Sequence, residues 1–206
     1  VVNRWFLQRL EHHLYEPDSS LRNDSYYISV LEEALTSGHL DGMMRIRPLY
    51  QLKMLKKNRI GIKAADFTFI LSTGELQNLW DISAKYTLLL FYDPDCIYCR
   101  QSMMELSESS IINSFLQHSG LSLSQLALVT ICMEGEIDMW KEYQQSLPSV
   151  WINGYDVRKV LTEKELYFLR SLPSIYLLGE DKQVLLKEPS SISEVTSYLL
   201  NKYDDI

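Results

Sequence analysis

The sequence has 206 residues, of which 46% are hydrophobic and 23% are charged, a composition typical of globular proteins rather than disordered or fibrous ones. The formal net charge of −7 argues against a nucleic-acid-binding surface, which needs clustered Lys and Arg side chains against the phosphates. No run of about 18 apolar residues exists, so no membrane span is predicted. Because the chain starts at Val1 rather than Met, we expect that an N-terminal segment such as a signal or an anchor has been removed.

The first 60 residues have the periodicity of short helices. Apolar residues recur every three to four positions in three segments, and we predict a helix ending near Pro17, a second over residues 26–35 and a third over residues 47–57. The pattern breaks over residues 58–65, where Gly61 and small residues mark a boundary. We therefore predict a helical N-terminal domain over residues 1–60 and a second domain over residues 61–206.

Strands and helices alternate after residue 65. We predict strands at residues 67–71, 86–92, 126–132, 174–178 and 183–186, a helix from the cysteines to about Leu116, and helices at 137–145 and 192–202, with less regular segments at 150–152 and 161–170. The nearly continuous apolar run at 86–92 is typical of a strand buried on both faces. Ser191 and Glu194 have the spacing of a capping box at the start of the last helix. The alternation predicts an α/β layer fold with a mixed sheet.

The chain has three cysteines, Cys96, Cys99 and Cys132, which are too few for a disulfide-stapled scaffold. The four histidines are scattered and no second Cys pair accompanies the first, so we expect no metal site. Cys132 ends a predicted buried strand, and we interpret it as a packed core residue rather than a third redox thiol.

Cys96 and Cys99 form a C-x-x-C motif between a predicted strand end and a predicted helix start. There the first sulfur lies beside the free N–H groups and positive dipole end of the helix, which favour the thiolate. The thiolate is the nucleophile of disulfide exchange, and a second thiol one turn further along can attack the mixed disulfide. We predict that Cys96 attacks and Cys99 resolves, with their redox-active disulfide and no further cofactor. The alternatives are an inert disulfide and a half-built metal site.

A proline at the start of the strand at 174–178 adds a second signal. Pro173 cannot donate to a strand ladder, so it lies at an edge or in a cis bend. The order C-x-x-C, strand, helix, x-Pro, strand, turn, strand, helix resembles the thioredoxin superfamily from Asp66 to the end of the chain. The resemblance implies a thioredoxin fold, with a mixed central sheet flanked by helices and a cis Pro173 against the cysteine pair. It also implies that the backbone at Leu172 pairs with the substrate chain. Pro148 is a second candidate but lacks the following hairpin.

Other segments resemble proteins of the bacterial cell envelope. Asp66-Phe67-Thr68 resembles the entry strand of membrane-anchored or periplasmic reductases. Residues 15–27 and 47–52 resemble a helical domain of unknown function that precedes thioredoxin-like domains in cell-envelope proteins of anaerobic Gram-negative bacteria. These resemblances imply a location in the periplasm or cell envelope. They imply partners that are protein thiols or disulfides, together with an upstream electron donor.

The sequence departs from the family pattern near the motif. Thioredoxins usually carry Trp before the first Cys and Gly-Pro between the two, whereas this chain has Asp95 and Ile97-Tyr98. The charge of Asp95 disfavours the neighbouring thiolate and partly offsets the helix dipole. The buried acid that assists proton transfer in thioredoxin is replaced by Leu90. Peroxidatic relatives carry Thr or Ser three residues before the reactive Cys, where this chain has Asp93, so we do not expect a peroxidase.

The leading hypothesis is a thiol–disulfide oxidoreductase, a reductase or isomerase of protein partners in the cell envelope. Cys96 and Cys99 carry the chemistry, and Leu172, Pro173 and Tyr98 contact the substrate. A role in supporting cytochrome maturation is a special case of this hypothesis, and the sequence does not distinguish it from the general case. The rival hypothesis is a non-catalytic binding or scaffold module with a structural or vestigial disulfide, in keeping with the missing acid and the charge beside the first cysteine.

Overall fold

A computed structural model of the chain describes residues 2–117 and 124–203. The chain divides into two compact units, Val1–Lys57 and Asn58–Ile206. The described residues of the first unit form three α-helices, in keeping with its helical periodicity: α1 (Val2–Leu14), α2 (Asp24–Thr36) and α3 (Ile46–Leu55). No helix in the described ranges is long and apolar enough to cross a membrane.

A polar network joins the three helices of the first unit. Glu11 on α1 accepts hydrogen bonds from Arg47 Nε at 2.9 Å and from Gln51 Nε2 at 2.7 Å, both on α3. Tyr27 on α2 donates its hydroxyl to Gln51 Oε1 at 3.1 Å. Burial, and then the charge of Glu11, raise the pKa of Tyr27. Short helices are marginal alone, so contacts of this kind hold them in one arrangement.

The second unit is built on one mixed sheet. In the described residues it has seven strands: β1 (Thr68–Leu71), β2 (Leu76–Asn78), β3 (Ala84–Tyr92), β4 (Ser124–Cys132), β5 (Ile152–Tyr155), β6 (Ser174–Leu178) and β7 (Val184–Lys187). The strand order is β2-β1-β5-β4-β3-β6-β7. The β3–β4 and β4–β5 pairs are parallel and the other pairs are antiparallel. The predicted α/β fold with a mixed sheet is confirmed.

Helices pack on both faces of the sheet. They are α4 (Ile97–Glu108), α5 (Ser110–Gln117), α6 (Ile137–Tyr143), α7 (Val160–Glu163) and α8 (Ile192–Tyr203). Of these, α4, α5, α6 and α8 lie on the face that carries the motif. The central strand β3 is buried on both faces, as its apolar run predicts. Its residues Leu88, Leu90 and Tyr92 join the core that contains side chains of α4, α5, α6 and α8, and Leu89 and Phe91 join the core on the other face, which contains part of α7.

Several element predictions are corrected by the structure. The helix after the cysteines is broken at Ser109, whose backbone is extended and whose Oγ accepts the N–H of Ile112 at 3.3 Å, so α5 starts as a new, capped helix. Strand β2 was not predicted, because its three residues are too few to show the two-residue alternation of a strand. The segment noted at residues 150–152 overlaps strand β5 only at Ile152, and helix α7 covers only residues 161–163 of the segment noted at 161–170.

The capping box at the start of α8 is displaced by one residue. The Glu194 carboxylate accepts hydrogen bonds from the N–H of Ser190 at 2.8 Å and from its hydroxyl at 3.0 Å. Ser191 Oγ lies 2.7 Å from Ser193 Oγ instead. The spacing correctly predicts that Glu194 folds back over the helix start, but the bend of the backbone before α8 decides which serine it meets.

Candidate redox site

The C-x-x-C motif lies where β3 ends and α4 begins. After Tyr92 the chain turns, with Asp95 N–H donating to Asp93 Oδ1 at 2.9 Å and Cys96 N–H donating to the Asp93 carbonyl at 3.1 Å. Cys96 is the N-cap residue of α4, with extended backbone, and its Sγ accepts the N–H of Cys99 at 3.3 Å. The sulfur therefore occupies the position where the unpaired N–H groups of a helix start can stabilise negative charge.

The two sulfurs of the motif have different surroundings. Cys96 is half-buried, whereas Cys99 is 0% exposed and packs in the core with Met103 and Leu106. Burial raises the pKa of Cys99 to about 12, and the backbone hydrogen bond from Asp93 partly opposes the increase. One thiol can be reached from solvent and the other cannot, which is the asymmetry that attack and resolution require.

The segment before β6 meets the first sulfur. The Cys96 thiol lies 3.5 Å from the carbonyl oxygen of Leu172. The Leu172–Pro173 peptide bond is cis. Strand β6 then runs antiparallel to β3, with Ser174 opposite Phe91, so the sheet register brings the residues before β6 to the motif.

Apolar side chains on the first turn of α4 extend the surface beside Cys96. Ile97 is 67% exposed and Tyr98 is 69% exposed. Exposed apolar side chains next to a reactive group are available to contact a partner, because their burial on binding is favourable.

A second buried thiol, Cys132, lies on the strand next to the one that leads into the motif. Cys132 ends β4 and is paired with Tyr92 in the parallel β3–β4 register. Its thiol donates to the carbonyl of Glu134 at 3.1 Å, and burial raises its pKa to about 12.

The ring of Tyr143 lies 5.8 Å from that of Tyr92, and burial raises the pKa of Tyr143, with further contributions from Cys99 and Cys132. Tyr143 packs against the core cluster that contains both buried thiols, a position that no local sequence pattern indicates.

Metal ligands are not grouped around these thiols. Within residues 2–117 and 124–203, no three His, Cys, Asp or Glu side chains lie together as a set that could hold a metal ion. The described part of the chain therefore offers no support for the half-built metal site that the motif alone leaves open.

Solved structures share this fold and about a third of the aligned sequence. A thioredoxin-like protein from Bacteroides caccae is 33% identical, with a TM-score of 0.89 over 96% of this chain and 69% of its own. The C-terminal domain of an uncharacterized protein from Bacteroides fragilis is 36% identical, with a TM-score of 0.64 over 69% of this chain and 98% of its own. The chain belongs to the thioredoxin-like protein family.

More distant comparisons of this thioredoxin-like protein concern its fold and its first helices. A domain of a possible thiol-disulfide isomerase from Cytophaga hutchinsonii shares the fold at 22% identity, with a TM-score of 0.60 over 73% of this chain and 97% of its own. Residues 3–58 match a family model described as a domain of unknown function, DUF5106. No curated protein matches the chain. The predicted thioredoxin fold with a helical N-terminal region of unknown function is confirmed.

Four of the five residues predicted to form the site lie together in the thioredoxin-like unit. Cys96 and Cys99 are joined by a hydrogen bond, and Leu172, with Pro173 after it, lies against Cys96. Tyr98 is exposed on the first turn of α4, between the two cysteines in the chain. Asp93 also lies at the site, in the turn between β3 and Cys96, and its position directly after a buried strand is the sequence signal that could have indicated this.

Proposed function

We propose that this thioredoxin-like protein is a thiol–disulfide oxidoreductase that exchanges disulfides with protein partners through Cys96 and Cys99. One observation carries the proposal: the half-buried Cys96 sulfur caps a helix, receives the N–H of the buried Cys99 and lies against the Leu172 carbonyl. A reachable sulfur with a second thiol behind it is the arrangement that two-step exchange requires.

The reaction proceeds in two displacements. The Cys96 thiolate attacks a partner disulfide, one partner sulfur leaves as a thiolate, and Cys96 becomes part of a mixed disulfide. Cys99 then loses its proton and attacks the Cys96 sulfur, which releases the second partner sulfur. The partner is reduced by two electrons and the Cys96–Cys99 disulfide forms. A thiol protein upstream returns the pair to the dithiol, so the exchange needs no further cofactor.

Substrate recognition is assigned to the surface around Cys96. The Leu172 carbonyl can accept an N–H from an extended partner segment, and Pro173 orients that segment beside the sulfur. Tyr98 contributes exposed apolar surface to the same side of the motif. A location in the periplasm or cell envelope is supported by the resemblance of both parts of the chain to envelope proteins.

We also propose that the two units are separate domains, the first helical and the second thioredoxin-like. Asn58 supports a boundary near residues 58–60, because its side chain accepts the N–H of Ala65 at 2.8 Å and donates to the Leu166 carbonyl at 2.9 Å, both within the second unit.

Cysteine variants test the exchange proposal. Reduction of a protein disulfide, with a dithiol as electron donor, is measured for the wild type and for Cys96→Ser, Cys99→Ser and Cys132→Ser. We expect Cys96→Ser to lose the activity, Cys99→Ser to accumulate mixed disulfides visible by mass, and the buried control Cys132→Ser to keep it. Full activity in Cys96→Ser would refute the proposal.

The reduction potential separates this proposal from the binding-module hypothesis, which the apolar Leu90 in place of the family's acid favours. Equilibration in graded dithiol/disulfide buffers, followed by alkylation and mass measurement, gives the potential. A value of roughly −120 to −270 mV is expected for an exchange protein. A value below about −300 mV would identify a structural disulfide and support the binding module.

A further inference from the structure

The chain that leads to the Leu172 carbonyl is held by side chains rather than by regular secondary structure. Residues 164–173, between α7 and β6, form neither helix nor strand. At the upstream end Tyr167, which is 3% exposed, donates its hydroxyl to the Ala65 carbonyl at 2.7 Å. Arg170 follows, two residues before Leu172. Because no strand ladder fixes this stretch, its side-chain contacts decide where the Leu172 carbonyl lies.

Arg170 forms a buried ion pair with Glu188, the residue directly after β7. Arg170 Nε lies 3.9 Å from Glu188 Oε2, and the two side chains are 7% and 12% exposed. The guanidinium also lies over the ring of Phe168, with 4.9 Å from Cζ to the ring centroid. A planar guanidinium that meets both a carboxylate and a ring has little freedom to turn, so these contacts fix the Arg170 side chain.

The carboxylate partner in this pair is itself fixed to β6. The Glu188 N–H donates to the Ile175 carbonyl at 2.8 Å, and Ile175 lies two residues after Pro173. Glu188 has a φ of +47°, in the left-handed backbone region that residues with a Cβ seldom occupy. The ion pair and this hydrogen bond therefore connect the chain two residues before Leu172 to the strand two residues after Pro173.

A buried ion pair is a poor means of stabilising a fold. The desolvation of two charges cancels much of their attraction, and replacement by apolar side chains of similar size is often neutral or stabilising. What such charges add is geometry, because a displaced partner leaves the other charge buried without compensation. Here the geometry is that of the segment whose carbonyl, at Leu172, lies 3.5 Å from Cys96 Sγ.

We infer that Arg170 and Glu188 are positioning residues of the redox site, an inference that rests on the proposed function. Their ion pair holds the Leu172 carbonyl where that oxygen accepts the N–H of an extended partner segment whose disulfide Cys96 attacks. Both charged side chains are buried, so they do not contact the partner themselves. The pair therefore acts on the affinity for protein disulfides, whereas a small disulfide that makes no backbone hydrogen bond reacts without its help.

The substitutions Glu188→Gln and Arg170→Gln each remove one charge of the pair. With insulin as the protein disulfide and a dithiol as electron donor, we expect KM to rise about three- to tenfold, the usual effect of losing one hydrogen bond, and kcat to change less than about twofold. Glu32→Gln is the matched control, because it makes the same change in the exposed Lys56–Glu32 pair of the first unit, and it should leave both constants unchanged. An unchanged KM in both pair variants would overturn the inference.

Reaction with 5,5′-dithiobis(2-nitrobenzoic acid) separates positioning from a loss of folded protein. The first release of thionitrobenzoate reports attack by Cys96 on a small disulfide, and we expect Glu188→Gln and Arg170→Gln to react within about twofold of the wild type. Equal losses of rate with this reagent and with insulin would mean that the substitutions only reduce the amount of folded protein, and would overturn the inference.

A double variant, Arg170→Met with Glu188→Met, replaces both charges by apolar side chains. We expect its urea midpoint to recover toward that of the wild type, because no unpaired charge is left buried, while KM for insulin stays raised as in the single variants. Recovery of KM together with stability would show that packing alone positions the segment, and would overturn the inference. Failure of the wild type to react at Cys96 with either disulfide would instead refute the proposed function, so the two failures are distinguishable.

Discussion

Cys96 and Cys99 are three residues apart but have different physical environments. Cys96 ends the turn after β3, and its sulfur takes the place of a capping side chain at a helix start. Cys99 is one helical turn further and faces the core, where Leu90 also packs. Residues three apart lie on the same face of a helix, so the two sulfurs are neighbours, and Cys99 is the more buried because it lies in the core with Met103 and Leu106. The same geometry leaves Ile97 and Tyr98 exposed between them.

Alkylation of the native, reduced protein should follow this difference in burial. At pH 8, iodoacetamide is expected to label Cys96 first, with Cys99 and Cys132 at least about tenfold slower, because both are buried and weakly acidic. Mass spectrometry of peptides taken over time measures the order. Urea should allow all three sites to react, and Cys96→Ser should remove the fast site. Rapid native labelling of Cys132 would contradict the burial that the structure assigns to it.

At the scale of elements, strand β5 shows how closely the sheet packs beside the site. Gly154 is opposite Ile131 of β4 and Leu71 of β1. A Cβ at this position would overlap the buried ring of Phe69 and would lie 2.9 Å from Ile131 Cδ1. The glycine is needed for space rather than for backbone freedom, because the flanking strands hold these side chains in the core.

The substitution Gly154→Ala should therefore destabilise the protein by about 1–3 kcal/mol, the usual cost of overpacking a core. Urea unfolding, followed by circular dichroism, measures the free energy of unfolding. Gly179→Ala is the control, because the nearest atom to its Cβ would be Asp181 Oδ1 at 3.4 Å, an ordinary contact. Equal stability of Gly154→Ala and the wild type would show that Phe69 and Ile131 can move aside without cost.

At the scale of the whole molecule, the sheet buries several groups that are neutral at pH 7 and become anionic at high pH. Burial raises the pKa of Cys99 and of Cys132 from 9.0 to about 12, and it raises the pKa values of Tyr92 and Tyr167 as well. Between pH 9 and 12 the folded state therefore holds protons that the unfolded chain releases. The stabilisation is complete below pH 9 and is lost as the pH rises through the folded pKa values.

We expect the urea midpoint to be nearly constant from pH 7 to 8.5 and to fall steeply above pH 9. Each fully buried thiol should contribute up to about 1.4 kcal/mol per pH unit to the slope. Comparison of the wild type with Cys132→Ala isolates one of these groups, and the variant should show a shallower decline. A midpoint that stays constant to pH 10.5, or an equal slope in both proteins, would contradict the burial of this thiol.

Much of the architecture could be predicted from the sequence because it is carried by local patterns. The apolar run of β3, the C-x-x-C motif after it and the hairpin of β6 and β7 each lie within a few residues, and together they indicate a thioredoxin fold. Predictions were less accurate where the signal was short or irregular, as for β2, the break at Ser109 and the residues around α7.

The resemblance predicts Leu172 and Pro173 beside the cysteine pair, but only the tertiary structure shows how these residues, Tyr143 and Cys132 are brought there. Leu172 lies 76 residues after Cys96, and Tyr143 lies 44 residues after Cys99. The antiparallel pairing of β6 with β3 brings the first to the site, and the parallel pairing of β4 with β3 places Cys132 beside Tyr92. Helical and strand periodicities report only which side of an element a residue occupies. Strand order and register, which arise from packing of the whole core, therefore determine which side chains surround Cys96 and Cys99.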